Sequence, residues 1–401
     1  MSANNDIKKS DDLRSENRVR VLKTLRRQGP CSPSKLNRLT GLSAASISTL
    51  TSQMIAQEIL ISEKQRLSVP ASRGRPRSQI KFNAGFGFVI VLSLTIDLVR
   101  ARRVDYAGNV CKSYELDLQT RKLNRTDLLS SVSNAVQMVM PVQADSVRHI
   151  GVCFQGITEH TTGKLCWSPI LSEQNIPLGK HLHDMFQRPV SVNNDCYLIA
   201  EALSDRLFDA GHKSFATVLF SYGVGLSLHI DNRPFCGTKT SALEFGHWRF
   251  ERDGALCRCG KLGCIEAYAA DYGIERLATG SFIHDPPAGR VETTVTQQRA
   301  AEAHTGNRAA IEAFAVAGAA IGEGLANLFH LLDPIPVALV GRDEECFALM
   351  QGSMHSVLKK ELRTDIDTES LFHFFADAEP LLEKGLIKHS LASVDAELAS
   401  G

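Results

Sequence analysis

The sequence predicts an α/β protein of at least two domains, in which a small basic head of three helices and a two-stranded wing precedes a larger acidic body. Three observations lead there. The chain has 401 residues, beyond the size at which a single hydrophobic core stops growing, and 43% apolar against 22% charged residues suits well-packed domains. Its formal net charge is only +1, yet residues 1–80 hold 15 Lys and Arg against 6 Asp and Glu, while the remainder holds 30 against 38. Helical apolar spacing alternates with Gly and Pro stops over the first eighty residues, and three of the ten cysteines crowd together far downstream.

In the head, Val19, Val21, Leu22 and Leu25 follow helical spacing between Asn17 and Gln28, and Gly29-Pro30 stops a short first helix. Ser32 before Pro33 is an N-cap followed by a first-turn proline. A second helix then carries Leu36 and Leu39 inward and ends at Gly41. Ser43 caps a third helix whose buried stripe is Ile47, Leu50, Met54 and Ile55. Its leading end keeps small polar side chains outward. This is a helix-turn-helix, and a recognition helix needs that design because its first residues must approach base edges closely. Ser43, Ala44, Ala45, Ser46, Ser48 and Thr49 are therefore candidates for contact with double-stranded DNA, against the alternative of an ordinary three-helix packing unit.

Leu60 to Glu63 and Ser78 to Phe82 alternate as strands and form the wing. Between them Arg73, Arg75 and Arg77 surround Gly74 and Pro76, an extended cationic arm suited to a minor groove or, more simply, a basic linker. The expected organisation is a winged helix-turn-helix over 1–70, a basic linker or wing over 71–80, and the body over 81–401.

The cysteine cluster is the sharpest chemical signal. His247, Cys257, Cys259 and Cys264 offer one imidazole and three thiols within eighteen residues, and Gly260 and Gly263 let the chain turn back on itself. Three thiolates and one imidazole complete a closed tetrahedral zinc shell, which makes the expected zinc structural rather than catalytic.

Glu-x-Gly-His at 244–247, followed by Cys-x-Cys-Gly-x-x-Gly-Cys-x-Glu at 257–266, resembles the signature of the ROK family of repressors and sugar kinases. Trp167-Ser168-Pro169, Asn193-Asn194-Asp195, Gly223-Val224-Gly225, Asp333-Pro334 and the linker Gly74-Arg75-Pro76 extend the likeness over nearly the whole chain. The resemblance implies a two-lobed actin-like (ribonuclease H-like) ROK domain and, in the repressor branch, a winged helix-turn-helix ahead of it. It also implies that Asn194, Asp195, Glu244, His247 and Glu266 contact sugar hydroxyls, with Asp195 at the position of the kinase general base. His247 would bind zinc through one nitrogen and present the other to ligand.

Against the kinases of that family, three nucleotide features are altered. The Asp-x-Gly-x-Thr strand is matched to Val91-Leu92-Ser93-Leu94-Thr95, which lacks the carboxylate. The second glycine loop reads Ser221-Tyr222-Gly223-Val224-Gly225-Leu226-Ser227. The Gly-Gly beside adenosine reads Gly341-Arg342. Phosphoryl transfer depends on positioning and charge neutralisation, so these losses argue against an enzyme. The expectation is a cytoplasmic, non-catalytic regulator with no membrane segment, forming a homodimer or homotetramer on paired half-sites and sensing a sugar or sugar phosphate. An active sugar kinase with a DNA-binding head is the alternative. A zinc or redox sensor is a third reading.

Overall fold

A computed structural model of the chain describes residues 3–64, 78–240, 243–288, 293–362 and 367–400. Arg73, Arg75 and Arg77, the arginines expected in the arm, lie outside the described residues.

The head opens with α1 (Ala3–Gln28), α2 (Pro33–Thr40) and α3 (Ala44–Ala56). Its local signals act as expected. The Ser32 hydroxyl accepts from Lys35 N, Gly41 ends α2 at φ +71°, and the Ser43 hydroxyl accepts from Ser46 N. Ile47, Leu50 and Met54 are buried, and Ser43, Ala44, Ala45, Ser48 and Thr49 are exposed. Two details differ. Helix α1 is 26 residues long rather than short, and the Ser15 hydroxyl donates to Ala399 O on the last helix of the chain. Leu39 is 43% exposed; Leu36 and Thr40, one turn apart, share the buried face instead. Strands β1 (Leu60–Lys64) and β2 (Ser78–Phe82) pair antiparallel as the wing, and Cys31 bridges to Ile80.

The first lobe is built from β3 (Phe88–Leu94), β4 (Leu98–Asp105), β5 (Val110–Asp117), α4 (Arg125–Val139), β6 (Val147–Phe154), the hairpin of β7 (Ile157–Glu159) and β8 (Lys164–Trp167), α5 (Leu178–Phe186) and β9 (Val190–Asn194). Its five-stranded sheet runs β5-β4-β3-β6-β9. The second lobe begins after α6 (Asp195–Asp209) with β10 (Phe215–Phe220), β11 (Val224–Ile230) and β12 (Arg233–Phe235). It continues through α7 (Glu266–Ala269), α8 (Asp271–Thr279), α9 (Thr293–His304), α10 (Arg308–Leu332), β13 (Val337–Val340), α11 (Glu344–Glu361) and β14 (Phe372–Phe375). Its sheet runs β12-β11-β10-β13-β14. Each sheet joins three antiparallel strands to two parallel ones, so one topology occurs twice.

Sequence explains the order of strands. The apolar runs of β10 and β13 are buried at every residue, as strands covered on both faces must be, whereas Val110–Asp117 carries charges and is largely exposed at an edge. Helix α10, among the described residues the one helix long and apolar enough to cross a membrane, has 61% of its apolar window buried in the second lobe. Its small residues permit that packing: a Cβ on Gly318 would lie 2.1 Å from Met350 O in α11.

The last helix, α12 (Glu379–Ser400), leaves the second lobe and returns to the first, packing on α6, β6 and α1. One apolar cluster therefore runs from Leu22, Leu36 and Met54 in the head through Tyr106 to Leu386, Leu391 and Val394 of α12. At its edge Arg26 makes two 2.9 Å bonds to the carboxylate of Asp395, donates to Tyr106 O at 2.6 Å, and lies 3.6 Å over the Phe82 ring. The Tyr106 hydroxyl completes the group by donating to Asp395.

Candidate functional site

The five residues expected to contact a sugar line one open cleft between the lobes. Asn194 and Asp195 stand where β9 passes into α6. The Asn194 side chain accepts from Cys196 N and Tyr197 N as the cap of α6, and its Nδ2 donates to Gly156 O at 3.0 Å, so the amide is engaged at both ends. Asp195 accepts from Cys196 N at 2.9 Å. Burial raises its carboxyl to about 6, against the opposing pull of that backbone bond and of the Gln155 side chain.

Glu266, at the start of α7, is 5% exposed. Its Oε2 accepts from Val224 N and its Oε1 from the Tyr272 hydroxyl at 3.2 Å. This carboxylate also accounts for one of the glycines retained in the altered loop. A Cβ on Gly223 would lie 2.4 Å from Glu266 Oε2, so Gly223 is required by packing against Glu266 whether or not phosphate ever approaches. Glu244 is half exposed, with Oε2 3.8 Å from His247 Nε2.

The other nitrogen of His247 turns to the cysteines. Nδ1 lies 3.7 Å from Cys257 Sγ, and Cys259 Sγ lies 3.8 Å from Cys264 Sγ; the four donor atoms fall within 4.8 Å of one another. Donors about 3.8 Å apart are the edge of a tetrahedron with zinc–sulfur bonds of about 2.3 Å, so the donor set fits that ion. The thiols also share protons at this distance: hydrogen bonds from Cys257 and Cys264 draw Cys259 far below the ordinary thiol range. Gly263 closes the knot. Its φ is +73°, and a Cβ there would lie 1.6 Å from Glu251 O.

The nucleotide-side positions are arranged differently. Val91 and Ser93 line a separate small cavity against α12, with Arg100, Arg102, Glu379 and Glu383, and neither lines the interlobe cleft. Tyr222 does line the cleft. Its hydroxyl accepts from Arg121 of the first lobe at 3.0 Å, and the Arg258 guanidinium lies 3.7 Å over its ring. Arg342 is 4% exposed. It donates to Ala269 O at 2.7 Å and to Asp271 at 2.9 Å, and lies 4.7 Å over the Phe220 ring.

Trp167, Pro169 and Tyr222 line the same cleft as the carboxylates. From sequence, Trp167 and Pro169 stand out only as part of a family motif and Tyr222 only as a loop substitution, none with a ligand-binding role; the scarcity of tryptophan, two in the chain, was a further signal.

The family model that matches the chain is described as "ROK family" and covers residues 100–375. A xylose repressor of Bacillus spizizenii is 22% identical over 356 residues, 88% of each chain. A crystal structure described as a ROK family transcriptional regulator, homologous to the Escherichia coli Mlc protein, aligns over 97% of this chain and 99% of its own, with 19% identity and a TM-score of 0.74. A ROK family glucokinase from Streptomyces griseus, in complex with glucose and AMPPNP, aligns over 78% of this chain and 99% of its own, with 22% identity and a TM-score of 0.56.

Proposed function

The chain belongs to the ROK family, and we propose that it is a DNA-binding transcriptional regulator whose kinase-derived body senses a sugar or sugar phosphate without phosphorylating it. The observation that carries this reading is a cleft with an intact sugar side and an obstructed nucleotide side. Asp195, Glu244 and Glu266 keep acceptor groups around open space. By contrast, Arg342 is tied down where a second glycine would leave room for adenosine. Relatives named xylose repressor and N-acetylglucosamine repressor agree with a regulator.

In this reading Ser43, Ala44, Ala45, Ser46, Ser48 and Thr49 enter the major groove, and Arg73 and Arg75 reach the minor groove. Structural zinc held by His247, Cys257, Cys259 and Cys264 would fix the imidazole, which leaves Nε2 for Glu244 and ligand. Asp195 serves as a hydroxyl acceptor rather than as a base. Ligand closes the lobes; α6 starts at the pocket and packs on α12, and α12 is bonded to the head through Asp395 and Arg26. A sugar that favours the closed form thereby shifts the arrangement of the DNA heads in a homodimer or homotetramer.

A thermal-shift screen of zinc-loaded protein against sugars, sugar 6-phosphates and ATP tests the sensing half. Stabilisation by a sugar with none by ATP is expected; stabilisation by ATP with sugar turnover would replace this reading by that of a kinase. Selection of bound DNA from a random pool tests the head. Ala44→Glu should abolish binding to the selected sites while leaving the sugar-induced shift unchanged.

A further inference from the structure

We propose that Trp167 is a ligand-contacting specificity residue of the interlobe pocket, a stacking platform for the apolar C–H face of a sugar ring whose hydroxyls are read by Asp195, Glu244 and Glu266. The inference rests on the sugar-sensing reading of this pocket. It follows from how the two walls differ. The second lobe supplies Glu244, His247 and Glu266, and the start of α6 supplies Asp195. The first lobe supplies Gln155, Ile157, Trp167, Pro169 and Asn194. The carboxylates of the cleft therefore come from the second lobe and the start of α6, and its one indole comes from the first lobe.

A sugar ring has the matching asymmetry. Its hydroxyls project outward to acceptors, while its axial C–H groups form an apolar face with slight positive charge, which the negative face of an indole attracts. Of the two aromatic residues in the cleft, Tyr222 already carries Arg258 on its ring at 3.7 Å and Arg121 on its hydroxyl. Trp167 is only half-buried, and its indole N–H donates to no described residue. Its position is nonetheless constrained. The ring meets His247 edge to face, with centroids 5.7 Å apart at 81°. Gly156 admits the backbone behind it: a Cβ there would lie 2.3 Å from Trp167 O. Because His247 belongs to the second lobe and Trp167 to the first, a ring wedged on the indole touches both halves of the hinge. Trp167 would therefore set preference for the ring face as well as affinity.

The test uses the full-length, zinc-loaded chain and four probes, xylose, glucose, N-acetylglucosamine and glucose 6-phosphate, titrated by calorimetry and by tryptophan emission. Trp248, the other tryptophan, packs on Phe245 with centroids 5.3 Å apart and is not among the residues lining the cleft. Binding of at least one probe with a change in emission is expected. Trp167→Ala should weaken that binding about tenfold or more, whereas Trp167→Phe should keep it within about threefold and abolish most of the emission change. A sugar that binds wild type and the zinc-loaded alanine variant equally well would overturn the role of Trp167 and leave the sensing reading intact. Failure of all four probes to bind wild type would overturn the sensing reading, and this inference with it. Should the alanine variant fold poorly, the phenylalanine variant decides: an emission change as large as that of wild type would assign the signal to Trp248 and overturn the proposal.

Discussion

The carboxylates that line the interlobe cleft and the arginines at and around the positions matched to a nucleotide side differ in what their polar groups do. On the sugar side, Asp195 is held by only a few bonds and is destabilised by its own burial, and Glu244 leans toward the imidazole from solvent. On the nucleotide side three arginines are engaged by the protein itself: Arg342 with Asp271 and Ala269 O, Arg121 with the Tyr222 hydroxyl, Arg258 with the Tyr222 ring. A ligand site tolerates unsatisfied acceptors because the ligand will satisfy them. A site that has lost its ligand is stabilised by filling. The difference is the one expected of the proposed sensor, which binds a sugar without ATP.

The largest effect should come from removing what holds the sugar side in place. Cys259→Ser should reduce bound zinc well below one per chain, lower Tm by roughly 10 °C or more, and abolish sugar binding, since metal binding is coupled to folding of the loop that carries His247. Zinc analysis and calorimetric melting read both. Unchanged sugar affinity in a zinc-free variant would separate the pocket from the knot and break the contrast at its base.

Next in size is the filled side. Arg342→Ala leaves Asp271 without its ion-pair partner and opens a void beside Phe220, which should cost about 3 kcal/mol in denaturant unfolding. ATP should still fail to bind this variant in calorimetry. Binding restored by that single change would mean that the nucleotide site is plugged rather than dismantled.

Asp195 sharpens the comparison through pH. Its folded-state value of about 6 is raised from 3.8 by burial, so the native state holds the proton more tightly than the unfolded chain does. Stability of the ligand-free protein should therefore fall as pH rises from about 4 to 6, and Asp195→Asn should recover up to about 3 kcal/mol above that window. The same substitution should weaken sugar binding at pH 7.5, and wild-type affinity should fall as pH drops through 6. A variant that is neither more stable nor weaker in binding would remove Asp195 from the site.

The smallest effect belongs to the bridge between the sides. Tyr222→Gly removes the Arg121 hydrogen bond across the lobes and the face under Arg258, a loss of about 1 kcal/mol, and should widen the distribution of lobe separations measured between paired spin labels. No change would show that the lobes are held apart or together elsewhere.

How much of this was legible depended on sequence distance. The caps at Ser32 and Ser43, the turn at Gly41 and the compact donor set from His247 to Cys264 are local, and local geometry can be read from spacing. Leu39 was misplaced because eight residues make barely two turns, too few to distinguish its face from that of Leu36 and Thr40. The full length of α1 was missed because its first turns show no apolar period, and the described bond from Ser15 goes to a residue 384 positions away. The strand at Val91 and Ser93 was recognised, but which of its faces meets the cleft depends on where α12 returns.

The sequence by itself determined the caps and turns of the three head helices, the compact His and Cys donor set and the family, because each rests on short motifs whose residues lie close together along the chain. Only the tertiary structure decided that α12 packs on both α6 and the head, that Gly223 answers to Glu266, and that Trp167 lines the same cleft as the carboxylates. Those relations join residues tens to hundreds of positions apart, and their partners are chosen by packing, which leaves no period and no spacing to read.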